Sequence, residues 1–384
     1  MKIIYISNAR FPTEKAHGLQ IAKMCQAFGA FGIDVELILP RRKNYIKESA
    51  FSYYGLEESF KIKRLLCLDL IPWDKHLGRF AFFLESFTFY FFLFFYLLFK
   101  RADVFYTREF LALPFVFFKR KVVLEAHTLP KHFYFYRPCF KKTEAIVVIT
   151  EKLKELFVVR GVKERKIVVA PDGVDIQQFN IGISKGEARG KLNLPQDKQI
   201  IVYTGHLYPW KGADVLLEAA RLHISREGSG AHRALFVFVG GTERDISIFK
   251  EKSERLKAKN VLIAGHRPHR EIPLWLKAAD VLVLPNSATA DISKYWTSPL
   301  KMFEYMASRR PIVASSLPSL REVLNENNAF FVKPDSPREL ALKIEKVLKN
   351  PAISAKIAQR ALRDVEGFSW ERRAQKIMNF LKNL

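Results

Sequence analysis

Short apolar runs alternate along the chain with stretches in which apolar and polar residues are mixed. Residues 2–7, containing Ile3-Ile4-Tyr5-Ile6, read as a buried strand, and Val35 to Leu39 as a second. Between them Gly18 to Phe31 reads as a helix, with Leu19, Ala22 and Ala27 apolar and Lys23 and Gln26 polar. A helix joining two apolar strands is a βαβ unit, because parallel neighbours need a long crossover. The pattern recurs at Val104-Phe105-Tyr106, Val122-Val123-Leu124, Ala145 to Ile149 and Ile167 to Ala170.

A second series starts at Ile200-Ile201-Val202-Tyr203. It continues through Leu235 to Val239, Val261 to Ala264, Val281 to Leu284 and Pro311 to Ala314. Helical stretches fall between these runs at Ala213 to Arg221, Ile272 to Ala278 and Pro299 to Ala307. Segment 176–199 carries Gly182, Gly186, Gly190 and Pro195 and reads as a linker. The 384 residues suit two domains. The expected class is α/β: two Rossmann-like, doubly wound parallel-sheet domains facing a cleft, one over 1–175 and one over 176–365. A C-terminal helix over 366–384 is expected to pack back on the N-terminal domain. Ligands of such sheets bind outside the carboxyl ends of the strands, so the chemistry is sought there.

Charge changes this picture only in part. The net charge is +24, with 29 basic and 18 acidic residues up to residue 175 and 34 and 21 beyond it. The excess is spread over both halves, which favours anionic partners such as nucleotide phosphates or acidic lipid surfaces. It lacks the concentrated stripe of a nucleic-acid binder, and nucleic acid is not an expected partner. Cys25, Cys67 and Cys139 are odd in number and far apart, which fits a reduced cytoplasmic protein. The apolar run after Lys2 is too short for a signal-peptide core.

One segment departs from the alternation. Phe80 to Phe99 holds twenty residues with one charge, Glu85. Length just permits a membrane span, but the Val104 strand follows at once and should join the sheet of residues 2–7. Two readings remain: a buried crossover helix, or an interfacial helix at the inner face of the cell membrane. In the second, Lys61, Lys63, Arg64, Lys75, Arg79, Lys100, Arg101, Lys119, Arg120 and Lys121 would meet anionic headgroups. The surplus of large aromatic residues favours the second.

Candidate chemistry concentrates in the C-terminal half. Thr297-Ser298-Pro299-Leu300-Lys301-Met302-Phe303-Glu304-Tyr305-Met306-Ala307 opens with helix-start residues, a hydroxyl cap followed by Pro at the first helical position. Such a helix offers N–H groups to a phosphate, with Glu304 one to two turns inside where ribose hydroxyls could donate to it. Thr204-Gly205-His206-Leu207-Tyr208-Pro209-Trp210-Lys211-Gly212 places a glycine turn and a lysine after a strand, which suits a diphosphate. Val239-Gly240-Gly241-Thr242 and Ala264-Gly265-His266-Arg267 close the next two strands with small residues that permit close approach, the latter near a nucleotide base. Each piece alone is weak.

Their order is specific. It resembles the nucleotide-binding half of the retaining GT-B glycosyltransferases of the "group 1" type, the family that includes sucrose-phosphate synthase and many bacterial mannosyl- and glucosyltransferases. The likeness extends through Lys15-Ala16-His17-Gly18, Val148-Ile149-Thr150-Glu151, Ala170-Pro171-Asp172-Gly173-Val174-Asp175-Ile176-Gln177-Gln178-Phe179 and Phe368-Ser369-Trp370-Glu371-Arg372-Arg373-Ala374. The resemblance implies transfer from a nucleotide-diphosphate sugar to a glycan or lipid-linked acceptor with retained configuration. Lys211 would neutralise the diphosphate and Glu304 would bind ribose. Gly18, Gly205, His206, Gly240, Gly265, His266, Ser298, Pro299 and Leu300 would line the donor, and His127 would reach the transferred sugar.

Two positions depart from the family. Trp296 stands where the first of two glutamates eight positions apart is usual, and His206 where an arginine follows the glycine. An Asp-x-Asp sequence is absent from the chain, so neutralisation by Lys211 and a helix N-terminus, with neither metal nor cofactor, is expected. A sugar-nucleotide epimerase of the same fold and a degenerate nucleotide-sugar or anionic-ligand binding protein are the alternatives.

Overall fold

The computed structural model describes residues 1–71, 78–119, 121–226 and 234–384; Lys75 and Arg120 lie outside them. The chain forms two compact units, Met1–Pro171 with Trp370–Leu384, and Asp172–Ser369.

The first unit holds a seven-stranded parallel sheet ordered β3-β2-β1-β4-β5-β6-β7. Its strands are β1 (Lys2–Ile6), β2 (Asp34–Pro40), β3 (Lys61–Leu65), β4 (Val104–Thr107), β5 (Val122–Ala126), β6 (Ala145–Val148) and β7 (Ile167–Val169). Every residue of β4, β5 and β6 is buried, the signature of strands covered on both faces. The chain steps outward from β1 to β3 and returns on the other side of β1 as β4, so the sheet order reverses between β1 and β4. The last helix, Trp370–Lys382, belongs to this unit and packs beside the helix Ala16–Ala30.

The second unit holds a six-stranded parallel sheet ordered β10-β9-β8-β11-β12-β13. These strands are β8 (Gln199–Thr204), β9 (Ala234–Val239), β10 (Val261–Gly265), β11 (Val281–Leu284), β12 (Ile312–Ser315) and β13 (Phe330–Val332). Its switch point lies between β8 and β11. Apolar clusters cover both faces, one around Leu276, Phe303 and Leu320, the other around Leu217, Phe236 and Ile344.

Several expectations need correction. Segment 176–199 is no free linker: the helices Ile176–Phe179 and Lys185–Lys191 lie in it, and Phe179, Ala188 and Leu194 join the core of the second unit. A capping box between Ser184 and Glu187 starts the second of these helices, which its glycines obscure. Buried Arg189 then pins it, with Nη2 2.6 Å from Oδ2 of Asp280 and Nε donating to the Ala278 carbonyl. The units accordingly divide at Pro171 and Ser369 rather than at 175 and 365. The edge strand β3 lacks an apolar run: it carries Lys61, Lys63 and Arg64, the kind of charged edge that resists pairing with another chain, whereas the other sheet's edge strand β13 is apolar but only three residues long.

Candidate functional site

Parallel pairing brings three predicted glycine loops together at the carboxyl ends of β8, β9 and β10. Gly205 N–H donates to the Val239 carbonyl at 2.8 Å, and Gly240 N–H to the Gly265 carbonyl at 2.7 Å. Gly240 has φ +123°, and a Cβ there would stand 2.4 Å from the Gly205 carbonyl oxygen, so only glycine lets the two loops touch. Beyond Gly205, His206 stacks on Tyr208 with ring centres 4.9 Å apart, and its Nδ1 lies 3.9 Å from Asp245.

Lys211 ends the short turn Pro209–Lys211, with its Nζ 5.2 Å from the Trp210 ring centre. Burial lowers its pKa to about 8, so the ammonium is held with little solvation and would gain by meeting an anion. Gly212 follows at φ +72°, where a Cβ would fall 1.7 Å from the Pro285 carbonyl oxygen. This contact clamps the lysine turn to the loop after β11, as does Ser287 N–H donating to the Trp210 carbonyl at 3.0 Å. Asn286 in that loop is 1% exposed, and neither its amide oxygen nor its nitrogen finds a partner among the described residues. Buried polar groups are seldom left so, which makes Asn286 a candidate to meet a ligand, one that the sequence pattern gave no reason to select.

The helix Leu300–Ala307 starts one residue later than expected. Pro299 is its N-cap, in extended conformation and with no side-chain cap, and Leu300 is its first residue. Ser298 is buried, and its Oγ accepts the Asp172 N–H at 3.0 Å. Glu304 is buried, not solvated, and its Oε1 lies 2.8 Å from Nε2 of His269. His269 was not singled out from the sequence; His266, which was, is exposed after β10. Trp296 caps the helix Asp291–Tyr295, and its indole Nε1 has no partner among the described residues.

A second buried lysine was also missed. Lys301 places Nζ 3.7 Å from the Tyr203 ring centre and donates to the Thr204 carbonyl at 3.1 Å. Burial, then the nearby Lys211 charge, holds its pKa well below the ordinary lysine value. A Cβ on Gly205 would lie 3.9 Å from this Nζ, so the amine sits directly beneath the first glycine loop. Its place one residue into a helix, among apolar neighbours, hides it from pattern reading.

In the first unit, His127 follows β5 with Nε2 2.7 Å from Glu125 Oε1. Glu125 is wholly buried; it also accepts from Gln20 and Tyr106, and Arg373 Nη2 lies 3.0 Å from Oε1. Burial alone would raise its pKa, but Arg373, His127 and Arg108 outweigh that and hold it well below the usual carboxylate range. An ionised carboxylate only accepts, so Nε2 of His127 carries the proton and a neutral ring keeps Nδ1 as an acceptor. Gly18 stands in the first turn of the helix Ala16–Ala30, not in a loop. A Cβ there would meet Tyr54 Oη at 2.2 Å, so packing within the unit already requires glycine.

Two family models match the chain: "Glycosyl transferases group 1" over residues 184–364 and "Glycosyltransferase Family 4" over 18–178. A D-inositol 3-phosphate glycosyltransferase of Catenulispora acidiphila is 24% identical over 234 residues, 59% of this chain and 54% of that one. The chain spans about half the length of the curated relatives it matches. The solved sucrose-phosphate synthase of Thermosynechococcus elongatus aligns with a TM-score of 0.76 at 17% identity, covering 100% of this chain and 98% of that one. Anabaena HepE, solved in complex with UDP-glucose, aligns at 0.74 and 18% identity with both chains covered completely. These likenesses show the fold, two Rossmann-like parallel-sheet units of the GT-B type.

Proposed function

This chain belongs to the group 1 glycosyltransferases, and we propose that it moves a hexosyl group from a nucleotide-diphosphate sugar to a glycan or lipid-linked acceptor with retained configuration. The observation that carries the reading is the pair of lysines at one strand-end cluster: Lys211 and Lys301, both with pKa lowered by burial, beside three glycine loops. Two poorly solvated lysine amines favour a ligand that brings two or more negative charges, which would stabilise their protonated forms.

In this reading the diphosphate lies along Gly205, His206, Gly240 and Gly265 and the backbone at Ser298 and Leu300, with Pro299 contributing no donor. Glu304 takes the ribose hydroxyls while His269 holds its second face. Asn286 and the Trp296 indole take over sugar hydroxyls that a glutamate at position 296 would otherwise bind. The bond from the sugar C1 to the diphosphate oxygen breaks, and an acceptor oxygen bonds C1 on the same face. The acceptor proton passes to a diphosphate oxygen, and Lys211 stabilises the charge on the departing nucleotide. His127, oriented by Glu125, contacts the transferred sugar. The protein works in the cytoplasm and needs no metal, because lysines supply the neutralising charge.

Titrating UDP, GDP and ADP into the protein and into Lys211→Ala and Glu304→Ala tests the site. The best nucleotide should bind the folded variants roughly ten-fold or more weakly, the loss of one charge-assisted contact. Undiminished affinity in both would remove the assignment. Release of nucleotide from the matching sugar nucleotide, without conversion to an epimer, separates transfer from epimerisation.

A further inference from the structure

The helix Arg79–Leu98 has its polarity reversed with respect to water. Its one carboxylate between the ends, Glu85, is fully buried and bonded to Arg42, whose Nε donates at 2.9 Å. Ser86 is buried with it, receiving Asn8 Nδ2 at 3.0 Å. Ala81, Phe89, Leu93 and Leu97 continue that inward stripe. The opposite stripe is aromatic and open: Phe83, Phe87, Phe91 and Phe95, four residues apart, are 64, 60, 50 and 48% exposed. Six of the twenty residues of this helix are buried, so it is not an ordinary core helix.

The aromatic face continues into the neighbouring turn Phe110–Phe117. Phe94 meets Phe118 with ring centres 5.4 Å apart, and Phe117 and Phe118 are themselves 49 and 63% exposed. Its borders are cationic. Lys142 Nζ lies 4.5 Å over the Phe117 ring, Lys119 donates to the Lys100 carbonyl, and Arg101, Lys121 and Lys141 are exposed. From residue 86 to 142 the sequence has ten Lys and Arg but three carboxylates. All three point to protein partners: Asp103 accepts the Lys2 N–H, Glu109 the Asn8 N–H, and Glu125 is buried.

Exposed phenylalanine bordered by lysine, with few carboxylates along the same stretch of chain, complements a surface that is apolar within and anionic at its rim. A water-facing surface needs no such arrangement. We propose that this face of the first unit docks on an anionic lipid bilayer, the helix lying in the interface with its phenylalanine stripe inserted. The helix does not cross, because Glu85 is held at mid-unit by Arg42 and Tyr96 donates to Glu36 of β2. Six residues after the helix ends, β4 begins and pairs with β1. The proposal stands on this unit alone and is independent of how the second unit binds nucleotide.

Vesicle flotation of the full chain tests it, comparing phosphatidylcholine vesicles with vesicles also containing phosphatidylglycerol. Wild-type protein should float with the anionic vesicles, less so as salt is raised. Phe83→Ser/Phe87→Ser/Phe91→Ser should lower the partition by roughly ten-fold or more. Lys141→Gln/Lys142→Gln should lower it roughly twenty-five-fold on anionic vesicles only, about five-fold per charge. Unaltered nucleotide binding and circular dichroism would certify the folded state. Amide exchange on the wild-type chain gives a reading without substitution: protection over 79–99 and 110–118 should rise when anionic vesicles are added. No flotation, equal flotation of the phenylalanine variant, or unchanged exchange would overturn the proposal. So would a wild-type dimer that the phenylalanine variant dissolves, which would assign the face to a second copy of the chain. Failure of the transferase reading would appear instead in the nucleotide titrations.

Discussion

Arg373, carried by the last helix, places its guanidinium against the carboxylate of Glu125, 248 residues earlier in the chain, at 3.0 Å. Both side chains are almost wholly excluded from solvent, 2 and 0% exposed. The helix Trp370–Lys382 therefore completes the first unit electrostatically as well as by packing, because without it the buried Glu125 would lose its direct guanidinium partner.

Arg373→Met should destabilise the first unit by ~3–5 kcal/mol, the usual cost of removing one partner of a buried pair. The loss should depend on pH. Glu125 is depressed in the folded state, so its contribution is present above the unfolded carboxylate pKa and lost as pH falls through the lower folded value. Denaturation curves should thus show the largest gap between variant and wild type near neutrality and a shrinking gap under acid conditions. A gap that is constant with pH would mean that packing alone is lost.

Nucleoside diphosphate affinity should weaken as pH rises through about 8, where burial has placed the Lys211 pKa. The cation exists below that value and is lost above it. Binding of a diphosphate should pull the pKa back up, so near pH 8 the complex should take up protons. Calorimetry in two buffers of different ionisation enthalpy would read this uptake directly, and Lys211→Ala should abolish most of it.

Glu304→Gln separates the two ends of the ligand. It should reduce affinity for a nucleoside diphosphate by about ten-fold while leaving inorganic pyrophosphate nearly unchanged, because the carboxylate is assigned to ribose. Equal losses for both would place Glu304 with the phosphate cations instead. His269→Ala, which removes the 2.8 Å partner of Glu304, should show a smaller loss in the same direction.

Gly212→Ala should cost ~3 kcal/mol or more in stability of the second unit, since a methyl group would overlap the Pro285 carbonyl at a backbone angle that favours glycine. Thermal unfolding would measure it, and bound nucleotide should restore only part of the loss. Gly182→Ala, where nothing lies within 4 Å of the added carbon, is the matched control.

The sequence by itself determined the two parallel sheets, since buried parallel strands must be continuous apolar runs and their crossovers must be amphipathic. It also determined the order of glycine loops, Lys211 and the helix carrying Glu304, because those residues follow strand ends at fixed spacing. It could not show edge strands such as β3, whose charges mask the run, nor the packed helices of 176–199, whose glycines resemble a linker. Tertiary structure alone decided the partners. Lys301 became a buried amine beneath Gly205, His269 rather than His266 met Glu304, and Arg373 met Glu125, through contacts between residues distant in sequence. It also settled which side of the phenylalanine helix faces out: composition carries no direction, whereas the Arg42–Glu85 pair turns the charge inward and leaves the aromatic stripe exposed.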